Sequence, residues 1–77
     1  MPTIEAYLGE VRIFGGDRIP AGWAKCEGQV MSITEHTALF AVLGTKFGGD
    51  GTTTFALPDL RDRTPTHMIA VEGVFPG

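Results

Sequence analysis

The sequence predicts a small α+β domain: a mixed sheet of short strands, one short helix, and long irregular Gly-rich loops between them. Three observations predict it. Eleven glycines and five prolines in 77 residues punctuate the chain too often for long elements. One segment, Glu35 to Leu43, groups Leu39, Phe40, Val42 and Leu43 on a single broad face at helical spacing. The remaining apolar residues alternate with polar ones over short runs, which is the period of a half-buried strand.

The elements follow in order. Ile4, Tyr7 and Leu8 are the apolar contacts of the opening segment. Glu10-Val11-Arg12-Ile13-Phe14 reads as a strand with Val11 and Ile13 inward, ended by Gly15-Gly16-Asp17. Ile19-Pro20-Ala21-Gly22-Trp23 is a turn that delivers the only tryptophan. Trp23 is expected as a core or interface anchor, because it covers a large area in a domain short of apolar surface. The sharper alternative is a stacking face for a sugar.

Trp23 to Ile33 reads as a hairpin about Glu27-Gly28, an acidic-Gly pair of the kind that reverses a chain. Ser32 and Glu35 are spaced as a capping box for the helix, with Thr34 as a competing cap, and Gly44 stops it.

Phe47 to Arg63 organises the rest. Gly48, Gly49 and Gly51 surround Asp50 and can take positive φ where the chain must reverse tightly. Phe55, Leu57 and Leu60 follow as anchors in a stretch that Pro58 prevents from being a helix, and Asp59, Arg61, Asp62 and Arg63 are expected outside. An irregular ribbon is thus pinned onto a small core. Thr64 to His67 reads as a linker and Met68 to Phe75 as the last strand, paired with Glu10–Phe14. Ile69, Val71 and Phe75 share one face of that strand, and Met68, Ala70, Glu72 and Val74 the other. Two mostly apolar faces fit a strand between neighbours, or one whose second face meets another protomer. Gly73 marks a bulge or the close approach of another backbone.

Composition narrows the function. A chain of this length is one domain, spanning 1–77, and buries about 60–65% of its unfolded surface, so its core is thin. A disulfide within the chain is excluded because Cys26 is the only cysteine; it is expected as a small buried hydrophobe. The net charge of −3 and the scattered basic residues argue against nucleic acid. No apolar run approaches the ~20 residues of a membrane span. No basic-then-apolar leader opens the chain, so any export is expected to use another route or a partner.

Chemistry is weakly represented. The glycine loop leads into Thr52-Thr53-Thr54 and lacks the Lys-Ser/Thr of a phosphate loop. Asp50 has no neighbouring carboxylates with which to hold calcium. Cys26 with His36 or His67 lacks the spacing of a nucleophile pair, and one histidine such as His67 is a thin basis for a metal shared between protomers. Asp59, Arg61, Asp62 and Arg63 are read as a local ion-pair network rather than as acid and base. No catalytic residue, metal or cofactor is expected.

Several fixed-spacing segments carry a resemblance. Ile19-Pro20-Ala21-Gly22-Trp23, Cys26-Glu27-Gly28-Gln29, Leu39 to Thr45, Phe47-Gly48-Gly49-Asp50-Gly51 and Thr54 to Arg63 are similar to the phage tail collar domain. Bacterial proteins called microcystin-dependent carry a similar domain, and Ile69 to Pro76 also resembles their ending. The resemblance covers Pro2 to Arg63, with Trp23, Gly28, Pro58 and the glycine loop among its fixed positions. Two features depart from it. Glu27 and Asp62 stand where Asp and Gly are commoner. The long Gly- and Thr-rich section that usually follows Leu57-Pro58-Asp59-Leu60-Arg61 is reduced to Thr64–Met68, so a large receptor-facing surface is not implied.

What the resemblance implies is a non-enzymatic assembly module of a phage tail fibre or injection-type particle. Its expected place is a virion tail or an extracellular particle, after synthesis in the cytoplasm. The implied partners are copies of itself, as a trimer, and other tail or fibre proteins. Self-association is expected through Met68, Ala70, Val74, Tyr7 and Phe14. The alternative is a small adhesin that stacks a cell-surface glycan on Trp23 or Tyr7.

Overall fold

The computed structural model describes residues 6–16, 18–63 and 65–76. Five short strands and one helix run in the order β1 (Val11–Ile13), β2 (Trp23–Lys25), β3 (Val30–Ser32), α1 (Thr37–Leu43), β4 (Thr54–Ala56) and β5 (His67–Ala70). The α+β class holds, with the strands divided between two antiparallel sheets, β1-β5-β2 and β3-β4. Ile4, Asp17 and Thr64 lie outside the described residues.

β5 is the central strand. It pairs with β1 at Val11↔Ile69 and with β2 at Ala24↔Ile69. Side chains alternate across a strand, so β5 supplies two cores at once. Ile69 packs with Leu8, Cys26, Leu39, Phe55 and Leu57. Met68 and Ala70 pack with Ala6 and Trp23 on the other side. The second apolar face of the last strand is therefore covered by this chain itself. That corrects the expectation for Met68 and Ala70, which at 4% and 0% exposure offer nothing to a second protomer.

β5 is also shorter than the expected strand. It starts at His67, inside the expected linker, and ends at Ala70. Gly22 takes over at that point, its carbonyl accepting from the amides of Val71 and Glu72. The chain then turns back to form a single parallel bridge, Tyr7↔Val74. Gly73 makes this approach, with φ +150° and the Ala6 carbonyl oxygen 2.3 Å from where a Cβ would stand. The close backbone contact expected at Gly73 is real and comes from the same chain.

Three further local expectations are corrected. Val11 and Ile13 are exposed, not inward, because β1 is an edge strand and the cluster around Ile69 is completed by α1 and β4 without them. β2 and β3 do not form a hairpin: β2 bonds to β5 and β3 to β4. The Cys26–Gln29 stretch between them is paired instead with the Leu57–Leu60 segment, through Leu57 N–H to Gln29 C=O, Gly28 N–H to Pro58 C=O and Leu60 N–H to Cys26 C=O.

The third concerns the start of α1. The Ser32/Glu35 capping box does not form; Ser32 Oγ bonds Thr34 Oγ1 at 2.9 Å, and the helix begins later with His36 at its N-cap and no side-chain cap. Gly44 closes it as expected, donating its N–H to Phe40 C=O at φ +58°.

Candidate functional site

The ribbon from Phe47 to Arg63 holds most of the residues singled out in the sequence. Its reversal rests on Asp50. Oδ1 of this carboxylate accepts the backbone N–H groups of Thr52, Thr53 and Thr54 at 2.8–2.9 Å, and Oδ2 accepts the Thr53 hydroxyl at 2.9 Å. These donors stabilise the charged form, with Thr54 N–H the largest cause, and hold the carboxyl well below the usual carboxylate range. Sequence reasoning saw Asp50 only as a solitary carboxylate without metal partners. The signal present was Asp followed by a threonine run, since short polar side chains bond nearby backbone amides.

The glycines around Asp50 adopt the expected conformation, at φ +129°, +96° and +76° for Gly48, Gly49 and Gly51. Gly49 is the constrained one: a Cβ there would stand 2.3 Å from Phe55 Cα and 2.7 Å from Thr54 O. The loop backbone lies directly on β4. Behind it Phe55, Leu57 and Pro58 are buried and Leu60 is half-buried, so the anchors sit where the sequence placed them. Phe40 of α1 meets Phe55 with ring centroids 5.5 Å apart and planes tilted by 55°.

On the outer side Asp59, Arg61, Asp62 and Arg63 are exposed. Asp59 and Arg61 form a two-point pair, with Arg61 Nε to Oδ1 at 2.9 Å and Nη2 to Oδ2 at 2.6 Å. Arg61, through its guanidinium first and its backbone N–H second, brings the Asp59 carboxyl down to about 2. Among the described residues Asp62 and Arg63 join no salt bridge, so the expected four-residue network is one pair.

Cys26 is buried, and burial pushes its thiol pKa up, away from a reactive thiolate. It borders a cavity of about 130 Å³ with His67, but His67 Nδ1 is buried without a hydrogen-bond partner among the described residues. A Cys/His nucleophile pair is not assembled. His36 occupies the helix cap and does not border that cavity. Among the described residues no group of three or more His, Cys, Asp or Glu is placed to hold a metal ion. Among the described residues no helix is long and apolar enough to cross a membrane.

Trp23 is a core residue at 7% exposure, and the Arg12 guanidinium lies 5.3 Å from its ring centroid. Arg12 is in turn held by Glu10 at 2.6 Å. The indole face is occupied, and the sugar-stacking alternative at Trp23 falls. Of the residues expected at a self-association surface, Phe14 is half-buried against the Trp23 cluster. Tyr7 and Val74 remain open at 59% and 57%, beside Phe75 at 52%.

The arrangement therefore comprises a hydrogen-bonded irregular ribbon, a polar outer edge, and an apolar seam where Tyr7 meets Val74. The family model described as Phage Tail Collar Domain matches residues 9–65, a span that includes the glycine loop, the anchors and the Asp59–Arg61 pair. No curated protein matches the chain.

Proposed function

The chain belongs to the phage tail collar domain family and is on that ground a structural module of a phage tail fibre; from this premise we propose that it self-associates, as a trimer, through the seam formed by Tyr7, Val74 and Phe75. With other tail or fibre proteins it contributes to attachment at a cell surface. The observation that carries the reading is the seam. The Tyr7↔Val74 bridge fixes two large apolar side chains beside each other, and all three residues of the seam are more than half exposed. A fixed apolar patch on a domain with a thin core gains stability when it is covered, and copies in a closed ring are the economical cover.

The test is the mass in solution. Sedimentation of the chain at tens of micromolar gives a species heavier than the 8.2 kDa protomer, and its melting temperature rises with concentration. Val74→Glu, which alters an exposed side chain, yields a folded monomer. A parent chain that stays monomeric and melts at the same temperature on dilution overturns the proposal.

A further inference from the structure

The glycine loop contains a reactive pair of residues that its own hydrogen bonds restrain. We propose that Asp50–Gly51 is a modification site, where the backbone isomerises to isoaspartate once the loop opens and is protected while the loop is closed. The inference stands on this loop alone and does not depend on how copies assemble.

The chemistry follows from the two residues. The Gly51 nitrogen attacks Cγ of the protonated Asp50 carboxyl. A C–N bond forms, the Cγ–OH bond breaks, and the hydroxyl leaves with the amide proton as one water, closing a five-membered succinimide. Water then adds to either ring carbonyl. Opening on one side restores aspartate; opening on the other leaves the main chain running through Cβ and Cγ, with a free α-carboxylate. Only water is lost and regained. Glycine favours the attack because no Cβ crowds its nitrogen. Asp17, Asp59 and Asp62 are followed by Arg18, Leu60 and Arg63, and the chain has no asparagine, so Asp50 is the aspartate that the sequence singles out.

Each reacting group is engaged in the closed loop. Gly51 N–H donates to Thr54 C=O at 2.9 Å, which ties the attacking nitrogen to the first residue of β4. Oδ1 accepts three amides and Oδ2 the Thr53 hydroxyl, so neither oxygen can leave until those bonds are given up. The same donors, Thr54 N–H foremost, hold the carboxyl in its charged form, which has no hydroxyl to lose. Asp50 and Gly51 are both exposed, so hydrogen bonding rather than exclusion of water restrains the reaction.

The product does not fit the loop. Isoaspartate lengthens the main chain by one atom and shortens the arm that carries the carboxylate, away from the three amides it served. The neighbouring backbone has no slack to absorb this, since at Gly49 a Cβ would already stand 2.3 Å from Phe55 Cα. A chain that reacts while open therefore cannot re-form the native loop, and its opening becomes irreversible.

The experiment incubates the full chain in native buffer and in guanidinium, at one mildly acid pH and one temperature, and follows the tryptic peptide Phe47–Arg61. Isoaspartate separates from aspartate at unchanged mass, and electron-transfer fragmentation assigns it to Asp50 or Asp59. Reaction is expected at Asp50 and not at Asp59, and about tenfold or more slower in native buffer, the factor set by an opening cost of about 1.4 kcal/mol. Thr53→Val, which removes the hydroxyl donor to Oδ2, speeds the native reaction by about three- to tenfold and leaves the guanidinium rate unchanged. Gly51→Ala, compared in guanidinium where folding plays no part, slows it. The parent chain isolated with isoaspartate at this position and returned to native buffer melts below the unmodified parent. Equal rates at Asp50 in the two buffers, no reaction at Asp50 in guanidinium, or an isomerised chain that melts like the parent overturns the proposal.

Discussion

Asp50 shows how much a single exposed side chain can organise. Its carboxylate replaces the hydrogen bonds that a regular turn would supply to three successive amides. Because the folded carboxyl is more acidic than in the unfolded chain, the unfolded state binds protons first as pH falls. Asp59 acts in the same direction, at about 2 against its ordinary 3.8. The stability from both is fully present above about pH 4 and drains away below it. Melting temperature measured from pH 6 down to pH 2 should therefore fall in that lower window. Asp50→Asn should lower the melting temperature at pH 6 and flatten the acid slope. A variant as stable as the parent at pH 6 would remove Asp50 from the account.

Gly49 belongs to the same scale. Its φ of +96° alone disfavours an L side chain, and the overlap with Phe55 Cα adds to it. Gly49→Ala should cost more than about 1–2 kcal/mol in chemical denaturation. Gly15 has no atom within 4 Å of a Cβ and a φ that side chains accept, so Gly15→Ala should stay within about 0.5 kcal/mol of the parent.

At the scale of elements, no strand among the described residues exceeds four residues and the helix has seven, so none would persist alone. They are held by what they bury. Phe55, at 0% exposure, ties β4, α1 and the glycine loop together. Phe55→Ala should cost about 3–5 kcal/mol, against a total of about 4–12 kcal/mol for a chain this long. Denaturant melts should show it near the edge of folding. The same dependence explains the elements that local reasoning misassigned. Glu27-Gly28 carries a genuine turn signal, yet β2 and β3 find their partners about 45 and 24 residues further along. Strand choice was decided by distant pairing, which no local pattern encodes.

At the scale of the molecule, the first and last described segments meet. β1 lies beside β5, and Tyr7 beside Val74, so the apolar seam exists only once the chain has closed. The proposed assembly is a property of that closure. Truncation after Gly73 should remove the seam and with it any dependence of the melting temperature on protomer concentration. A truncated chain that still self-associates would point to the exposed edge of β1 instead.

The amino-acid order alone determined the class, the one helix and its Gly44 stop, the burial of Trp23 and Cys26, the Phe55 and Leu57 anchors, and the pairing of the first strand with the last. All but that pairing follow from composition, from glycine's conformational freedom and from which side chains water rejects, which are local properties; the pairing rests instead on the two apolar faces of the last strand, which call for a neighbour. Tertiary structure decided the rest: that β5 divides two cores, that Met68 and Ala70 are inside, that Val11 and Ile13 are outside, and that His67 borders a cavity with Arg63. Whether an apolar residue is covered depends on what the fold brings over it. In a chain with so little interior, one residue of register or one neighbouring segment is enough to change the answer.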